Sequence, residues 1–489
     1  MRAALEGNFN STRRSLGDRW LLLLGICLAG YAVMGKGFAY IGLAPLFIGE
    51  VCLGLGVATL LITRGWTRAF RVPAMLAAVP LCLLGAFRLL GSVGQYQVEA
   101  VRDAVVWGYA IFAIIVATLI IADPTRLPRL MEWYRKFAPV FLVVILPCFI
   151  WNRFARESLP AWPWGNQMAV VLVKEADVLV HLAGILAFWM ADPDRPVKWI
   201  WAVMLTIDMA LMGVIDRAGV VAFGAVMAIC LLAKPFHAAA WRTIAMLMLG
   251  VVLMWATDIK LEPQAGKGRQ ISFDQFYTNF LSIFGHAHDD GLDSNKEWRV
   301  EWWKEIVGYT VHGQYFWTGK GFGINLADDD GFQVLSDGSL RSPHNVHMTV
   351  LARMGVPGAA VWALALLSWL CFVGSAFWRA RRRRQEHWAG LFLFLFAYFA
   401  AFAINGSFDV FIEGPMGGIW FWTIYGVGVG ALWVYRNSPE VLEPSMATAG
   451  VDVDETNHAG ARRPQLLPAA GWRRPGLPLG TGAARVARR

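Results

Sequence analysis

A histidine and a set of arginines occupy turns of this chain where side chains of their kind can act on an anionic substrate. His344 lies in Ser342-Pro343-His344-Asn345, and nine residues separate Asn345 from Gly355-Val-Pro-Gly358. An imidazole, whose ordinary pKa is about 6.5, can take the proton of an attacking hydroxyl or hold an oxygen by hydrogen bonding. Arg217 follows Asp216 at a turn between two apolar runs, while Arg299 and Arg341 lie in the polar segment that ends at His344. A guanidinium stays charged and binds phosphate oxygens in pairs. An arginine at such a turn is costly unless it is paired or bound to something.

These residues need elements to hold them. Pro343 disfavours helix at Ser342 and pre-sets the start of a helix, which Asn345 can cap. Gly355 and Gly358 flank Pro357, so that helix should break or kink there. His347 lies one turn beyond His344, and Arg353 lies inside the motif.

The surrounding chain is apolar. Of 489 residues, 57% are hydrophobic and only 16% charged, values a soluble domain of this size rarely combines. Runs approaching the ~20 residues needed to cross a bilayer recur throughout. The expected fold class is an all-α polytopic membrane protein, because a spanning backbone must satisfy its hydrogen bonds internally. Twelve spans are expected, near residues 20–35, 41–63, 72–90, 103–122, 137–151, 168–190, 197–214, 218–233, 240–257, 348–378, 388–405 and 415–435. No cleavable signal peptide is expected, since no small-residue cleavage site follows the first apolar run. All six cysteines fall in apolar segments, which points to small core or lipid-facing residues rather than a disulfide framework or metal cluster.

Arginine placement sets the expected orientation. With the N-terminus in the cytoplasm, the short inside loops 64–71, 122–136, 191–198, 234–242 and 379–387 hold 3, 4, 2, 2 and 5 Lys plus Arg, sixteen together. The outside loops 35–40, 91–102, 152–166, 215–217 and 406–414 hold 1, 1, 2, 1 and 0, five together. That bias follows the positive-inside rule and accounts for the net charge of +9 without nucleic acid as a partner. The chain then divides into an N-terminal membrane bundle (1–257), an outer loop (258–347), three C-terminal spans (348–435) and a basic cytoplasmic tail (436–489), expected to be disordered because it is rich in Pro, Gly, Ala and Arg.

A connection as long as 258–347 inside a compact protein is usually functional. Ser272–Phe284 alternates aromatic and polar residues, which suits a helix at the membrane interface. Asn295–Thr310 reads as a second helix with Trp298, Trp302, Ile306 and Tyr309 on one face. Arg299 and Trp303 are spaced i,i+4, so the guanidinium can stack on the indole. Gly319-Lys320-Gly-Phe-Gly323 is either a tight turn or a place where backbone amides and Lys320 meet a diphosphate. It lacks the strand-turn-helix setting of a dinucleotide site. Asp328-Asp-Asp330 does not have the spacing of a Ca²⁺ loop and reads as a solvated turn. Lys174, Glu175, Asp177 and His181 interrupt the sixth span, where Lys174 can pair with Glu175 or Asp177. Asp409 and Glu413 lie in the last outer loop.

The His-Asn-x9-Gly-x-x-Gly spacing resembles the signature of the bacterial O-antigen ligase and polysaccharide polymerase superfamily. The likeness covers about residues 200–435. It implies a membrane glycosyltransferase that moves a glycan from undecaprenyl diphosphate to an acceptor hydroxyl. The acceptor would be lipid A core or a growing polysaccharide, reached at the periplasmic face of the inner membrane. It implies a catalytic His344 and Arg217, the superfamily placing an arginine at the equivalent turn. Arg299, Arg341, Asn345, Lys320, Trp303 and Glu413 are then candidates for binding the substrates, Glu413 by orienting His344 or an arginine. Cations in place of a metal ion would hold the leaving diphosphate, with no cofactor. Ligase and polymerase share this donor and differ in acceptor. A transporter of sugars or lipid-linked sugars is the competing class. It would predict repeated halves with broken helices, and no repeat is visible.

Overall fold

The computed structural model describes residues 15–63, 65–164, 168–192, 197–263, 269–283 and 290–443; most of the basic tail lies outside the described residues. The fold is almost wholly helical. In chain order, α1 is Leu16–Met34, α2 Ile48–Thr63, α3 Pro73–Asp103, α4 Val105–Ala122, α5 Arg126–Phe154, α6 Glu175–Ala191, α7 Trp199–Gly213, α8 Arg217–Ala233 and α9 Ala238–Thr257. Then come α10 Phe273–Ile283, α11 Asp290–Thr310, α12 Val346–Arg382, α13 Glu386–Gly406 and α14 Pro415–Asn437. A two-residue hairpin pairs β1 (Gly42–Leu43) with β2 (Leu46–Phe47). Eight helices (α1, α3, α4, α5, α9, α12, α13 and α14) are long and apolar enough to cross a membrane, while α2, α7 and α8 are shorter apolar helices. The chain is thus a multi-pass membrane protein.

Helix burial separates centre from rim. Over their most apolar stretches α13 and α14 are 83% and 89% buried, whereas α9 is 17% buried and presents most of its surface outward. A helix apolar on every face and buried on every face belongs at the centre of a bundle. α14 lies against α4, α13 against α6, and α8 against both α6 and α13. Aromatic rings fill the centre: Trp369 stacks on Phe399 at 4.1 Å and Phe399 on Phe421 at 4.6 Å.

The segment between α9 and α12 has a core of its own. Trp302, Ile306, Leu326, Ala327 and Ala352 are fully buried, with Leu340 and Leu351 nearly so, joining α11 to the first turns of α12. Of the acidic turn expected to be solvated, Asp328 and Asp329 are exposed, but Asp330 packs against this core. Asp330 is fully buried as a side chain, pairs with Lys320 and accepts a hydrogen bond from the Trp302 indole at 2.6 Å. A buried carboxylate persists only when it is paired and hydrogen-bonded.

α12 does break where the glycines predict. Gly355 has φ +69°, a left-handed conformation that lets the helix change direction. The break frees backbone groups, and the glycine-rich turn takes them up: Lys320 N–H donates to the Ala352 carbonyl (2.8 Å), Gly321 N–H to Arg353 (3.0 Å), and Val356 N–H to Phe316 (2.8 Å).

Candidate active site

His344 sits in the junction between the long connection and α12. Asn345 caps the helix, its side-chain oxygen accepting from the backbone N–H of His347 (2.9 Å) and Met348 (3.2 Å). Trp303 of α11 donates its indole N–H to the Pro343 carbonyl at 2.9 Å. Trp298 faces the imidazole edge-on at 6.4 Å. His344 itself has φ +53°, a conformation that costs a non-glycine residue of order 1–3 kcal/mol. The contacts on both sides impose it and aim the ring. Its side chain remains 28% accessible.

The carboxyl that meets this ring is Asp409, not Glu413. Asp409 Oδ1 is 3.7 Å from His344 Nδ1, and its other oxygen pairs with the Lys174 ammonium. Burial acts to raise the Asp409 carboxyl, but His344 and Lys174 more than reverse this and hold it well below the usual carboxylate range. Asp409 is thus an anion at neutral pH with one oxygen toward the imidazole. The lysine expected to pair within its own span reaches across 235 residues of sequence instead.

Arg299 also turns toward this loop. It donates to the Phe408 carbonyl at 3.0 Å, and the stacking on Trp303 expected from its spacing gives way to this bond. Burial opposes its charge and holds its pKa below the usual value, while Asp409 and Asp216 offset part of that cost. Asp216 is the residue before Arg217. It caps α8 by accepting from Gly219 N–H at 3.1 Å, and it also acts on Lys174. Arg217 donates to the Ser282 hydroxyl of α10 at 2.9 Å. Arg269 donates to the Ile215 carbonyl at 2.8 Å, and Asn279 to that of Val214. The Arg217 turn, α10, Arg299 and the His344–Asp409–Lys174 group therefore form one electrostatic neighbourhood at one end of the bundle.

Two of the expected ligands, Arg341 and Lys320, have other work, as has Arg353 of the motif. Arg341 is held by Asp103 (3.2 Å), Glu99 (3.1 Å) and the Gly323 carbonyl (3.0 Å). Arg353, 3% accessible as a side chain, meets Asp103 at 2.8 Å. Lys320 pairs with Asp329 and Asp330 and lies 4.2 Å from the Tyr309 ring centre. The five amides of the glycine-rich turn are all taken up. Gly319 donates to Tyr315, Lys320 to Ala352, Gly321 to Arg353, Phe322 to Ser92 Oγ and Gly323 to Asp103. The diphosphate reading of that turn therefore yields to the tight-turn reading. Glu413 accepts from the Thr349 hydroxyl of α12 at 2.8 Å. Burial pushes its carboxyl up to about 7 despite Thr349 and Arg353. His347 accepts from the Trp362 indole at 2.9 Å and contacts Ser407 at 3.1 Å, so both ring nitrogens are engaged.

Sequence reasoning missed the His344–Asp409–Lys174 arrangement, although it noted each polar residue. A lysine opening an apolar helix signals that a counter-ion exists, but not which one. Among curated proteins, none matches the chain. Residues 201–363 match the family model described as O-antigen ligase, from α7 through the Arg217 turn and the His344 motif, a match that supports the O-antigen ligase superfamily.

Proposed function

We propose that this protein transfers a glycan from undecaprenyl diphosphate to an acceptor hydroxyl, as an O-antigen ligase, with its site on the periplasmic face of the inner membrane. The observation that carries the reading is His344, held at the α11–α12 junction with Asp409 on Nδ1, in one charged neighbourhood with Arg299 and the Arg217 turn.

Asp409 occupies the Nδ1 side, so Nε2 is the nitrogen that takes the acceptor proton. The acceptor oxygen then forms a bond to the anomeric carbon while the bond from that carbon to the diphosphate oxygen breaks. Polyprenyl diphosphate departs with the electron pair. Its charge is spread over Arg217 and Arg299, with Lys174 near enough to share it. Cations fixed before the reaction stabilise a leaving anion without reorganising, which is how such sites accelerate transfer. Asp409 stabilises the imidazolium that forms and keeps the ring oriented. The arginine distribution between the short loops supports placing this end outside the cytoplasm.

The test is complementation of a deletion strain at matched protein levels. His344→Ala and Arg217→Ala should each abolish surface polysaccharide and leave carrier-linked glycan accumulating. Full activity in both variants would remove the catalytic reading. Purified protein should turn over carrier-linked glycan in EDTA, and abolition by EDTA would show that the chain's own cations are insufficient.

A further inference from the structure

The far end of α12 carries a second constellation that the glycan chemistry does not use. A cavity of about 440 Å³ there is lined by Ser375, Trp378, Arg379 and Arg382. From Val356, just past the break, to Ser375 the helix runs for about 30 Å at ~1.5 Å per residue, which is the hydrocarbon thickness of a bilayer. Ser375–Arg382 therefore stands at head-group level on the face opposite His344.

The same face of α12 leads down to the cavity. Leu364 is 49% exposed, Leu367 60% and Phe372 37%, and Cys371 is exposed beside them. Leu364, Leu367, Cys371, Ser375, Trp378 and Arg382 recur every three or four positions, so they form one stripe along the helix, with Phe372 at its edge. The stripe is apolar along its membrane length and ends in a hydroxyl, an indole and two guanidinium groups. Trp378, itself 57% exposed, is backed by Arg381, whose guanidinium lies 5.7 Å from the ring centre. Arg381 is in turn anchored to the Ala233 carbonyl of α8 at 2.6 Å. Among the described residues Arg379 and Arg382 make no side-chain hydrogen bond or ion pair. Two unengaged guanidinium groups around a cavity, beside a fixed indole, suit a phosphodiester.

We infer that this cavity binds the phosphate of an anionic phospholipid, with an acyl chain lying along Leu364, Leu367 and Phe372. The apolar stripe continuous with the cavity selects a lipid over a free phosphate. The clustering of both free arginines with Trp378 selects a specific site over diffuse surface charge.

The test uses the full-length protein in phosphatidylcholine nanodiscs doped with phosphatidylglycerol, with retained lipid counted by native mass spectrometry. Arg379→Gln with Arg382→Gln should reduce retention of phosphatidylglycerol about thirtyfold, from about 1 kcal/mol of attraction per arginine near the surface. Arg383→Gln with Arg384→Gln removes the same charge next to the cavity and should change retention less than about twofold. Arg379→Lys with Arg382→Lys keeps the charge and should retain part of the binding, which separates loss of the site from loss of the fold. Equal losses from the two Gln pairs would overturn the site in favour of diffuse charge. Displacement of the lipid by millimolar inorganic phosphate would overturn it in favour of a plain anion site.

Discussion

Replacing Asp409 with Asn tests the proposed chemistry most directly, because it removes a charge and little volume. At 3.7 Å and an effective dielectric of about 20, the carboxylate stabilises a protonated His344 by roughly 4 kcal/mol. Lys174 holds the other oxygen and offsets part of that. About half should survive as transition-state stabilisation, about 2 kcal/mol, so Asp409→Asn should slow transfer about thirtyfold. The assay is release of polyprenyl diphosphate from carrier-linked glycan by purified protein, with acceptor present. The variant also leaves Lys174 without its counter-ion, which can lower stability for reasons unrelated to catalysis. Lys174→Met with Asp409→Asn restores neutrality. The double variant should regain thermal stability and remain slow. A folded Asp409→Asn protein working within about threefold of the parent rate would refute the assignment of Asp409 as the partner of a general base.

Other outcomes follow from the same geometry. Arg299→Gln should lower turnover with little change in melting temperature, whereas Arg341→Gln should lower stability by about 1–3 kcal/mol, since its hydrogen bonds go to Asp103, Glu99 and Gly323; thermal melting beside turnover separates the two. A Cβ at Gly319 would lie 2.3 Å from the Arg353 backbone, at φ +62°, so Gly319→Ala should destabilise the protein by a few kcal/mol, and an unchanged melting temperature would mean the turn is not packed as described. Glu413 has its carboxyl raised from 4.5 to about 7, so its protonated form is the one the fold favours. Its contribution is present in full below pH 4.5 and lost as pH rises through about 7, amounting to roughly 3 kcal/mol at ~1.4 kcal/mol per unit. Glu413→Gln should flatten the pH dependence of melting over that window.

The membrane character and the helix positions were legible because hydropathy and length decide them with little help from tertiary contacts. Asn345 reads as a cap and Gly355 as a break for equally local reasons. The site was legible only in part. His344 and Arg217 stand out by motif and turn. Which cations face a ligand is a question of pairing, and pairing is not local. Lys320 and Arg341 looked as available as Arg299 in the sequence, yet their partners Asp330 and Asp103 lie ten and 238 residues away. Asp409 and Glu413 are equally visible acids four residues apart in one loop, and only the fold decides that Asp409 meets the imidazole.

The break at Gly355 limits how this protein can be recombined. The carbonyls freed there are bonded by Lys320 and Gly321, and the Val356 amide by the Phe316 carbonyl. A chimaera that exchanges the segment between α9 and α12 alone, cutting just before α12, would strand those backbone groups away from any donor or acceptor made for them. Grafts of this segment should therefore exchange residues through Gly358 as one cassette, with Tyr96 and Asp103 of α3 retained or co-transferred. Tyr96 packs where a Cβ of Gly323 would lie, and Asp103 holds the Gly323 amide.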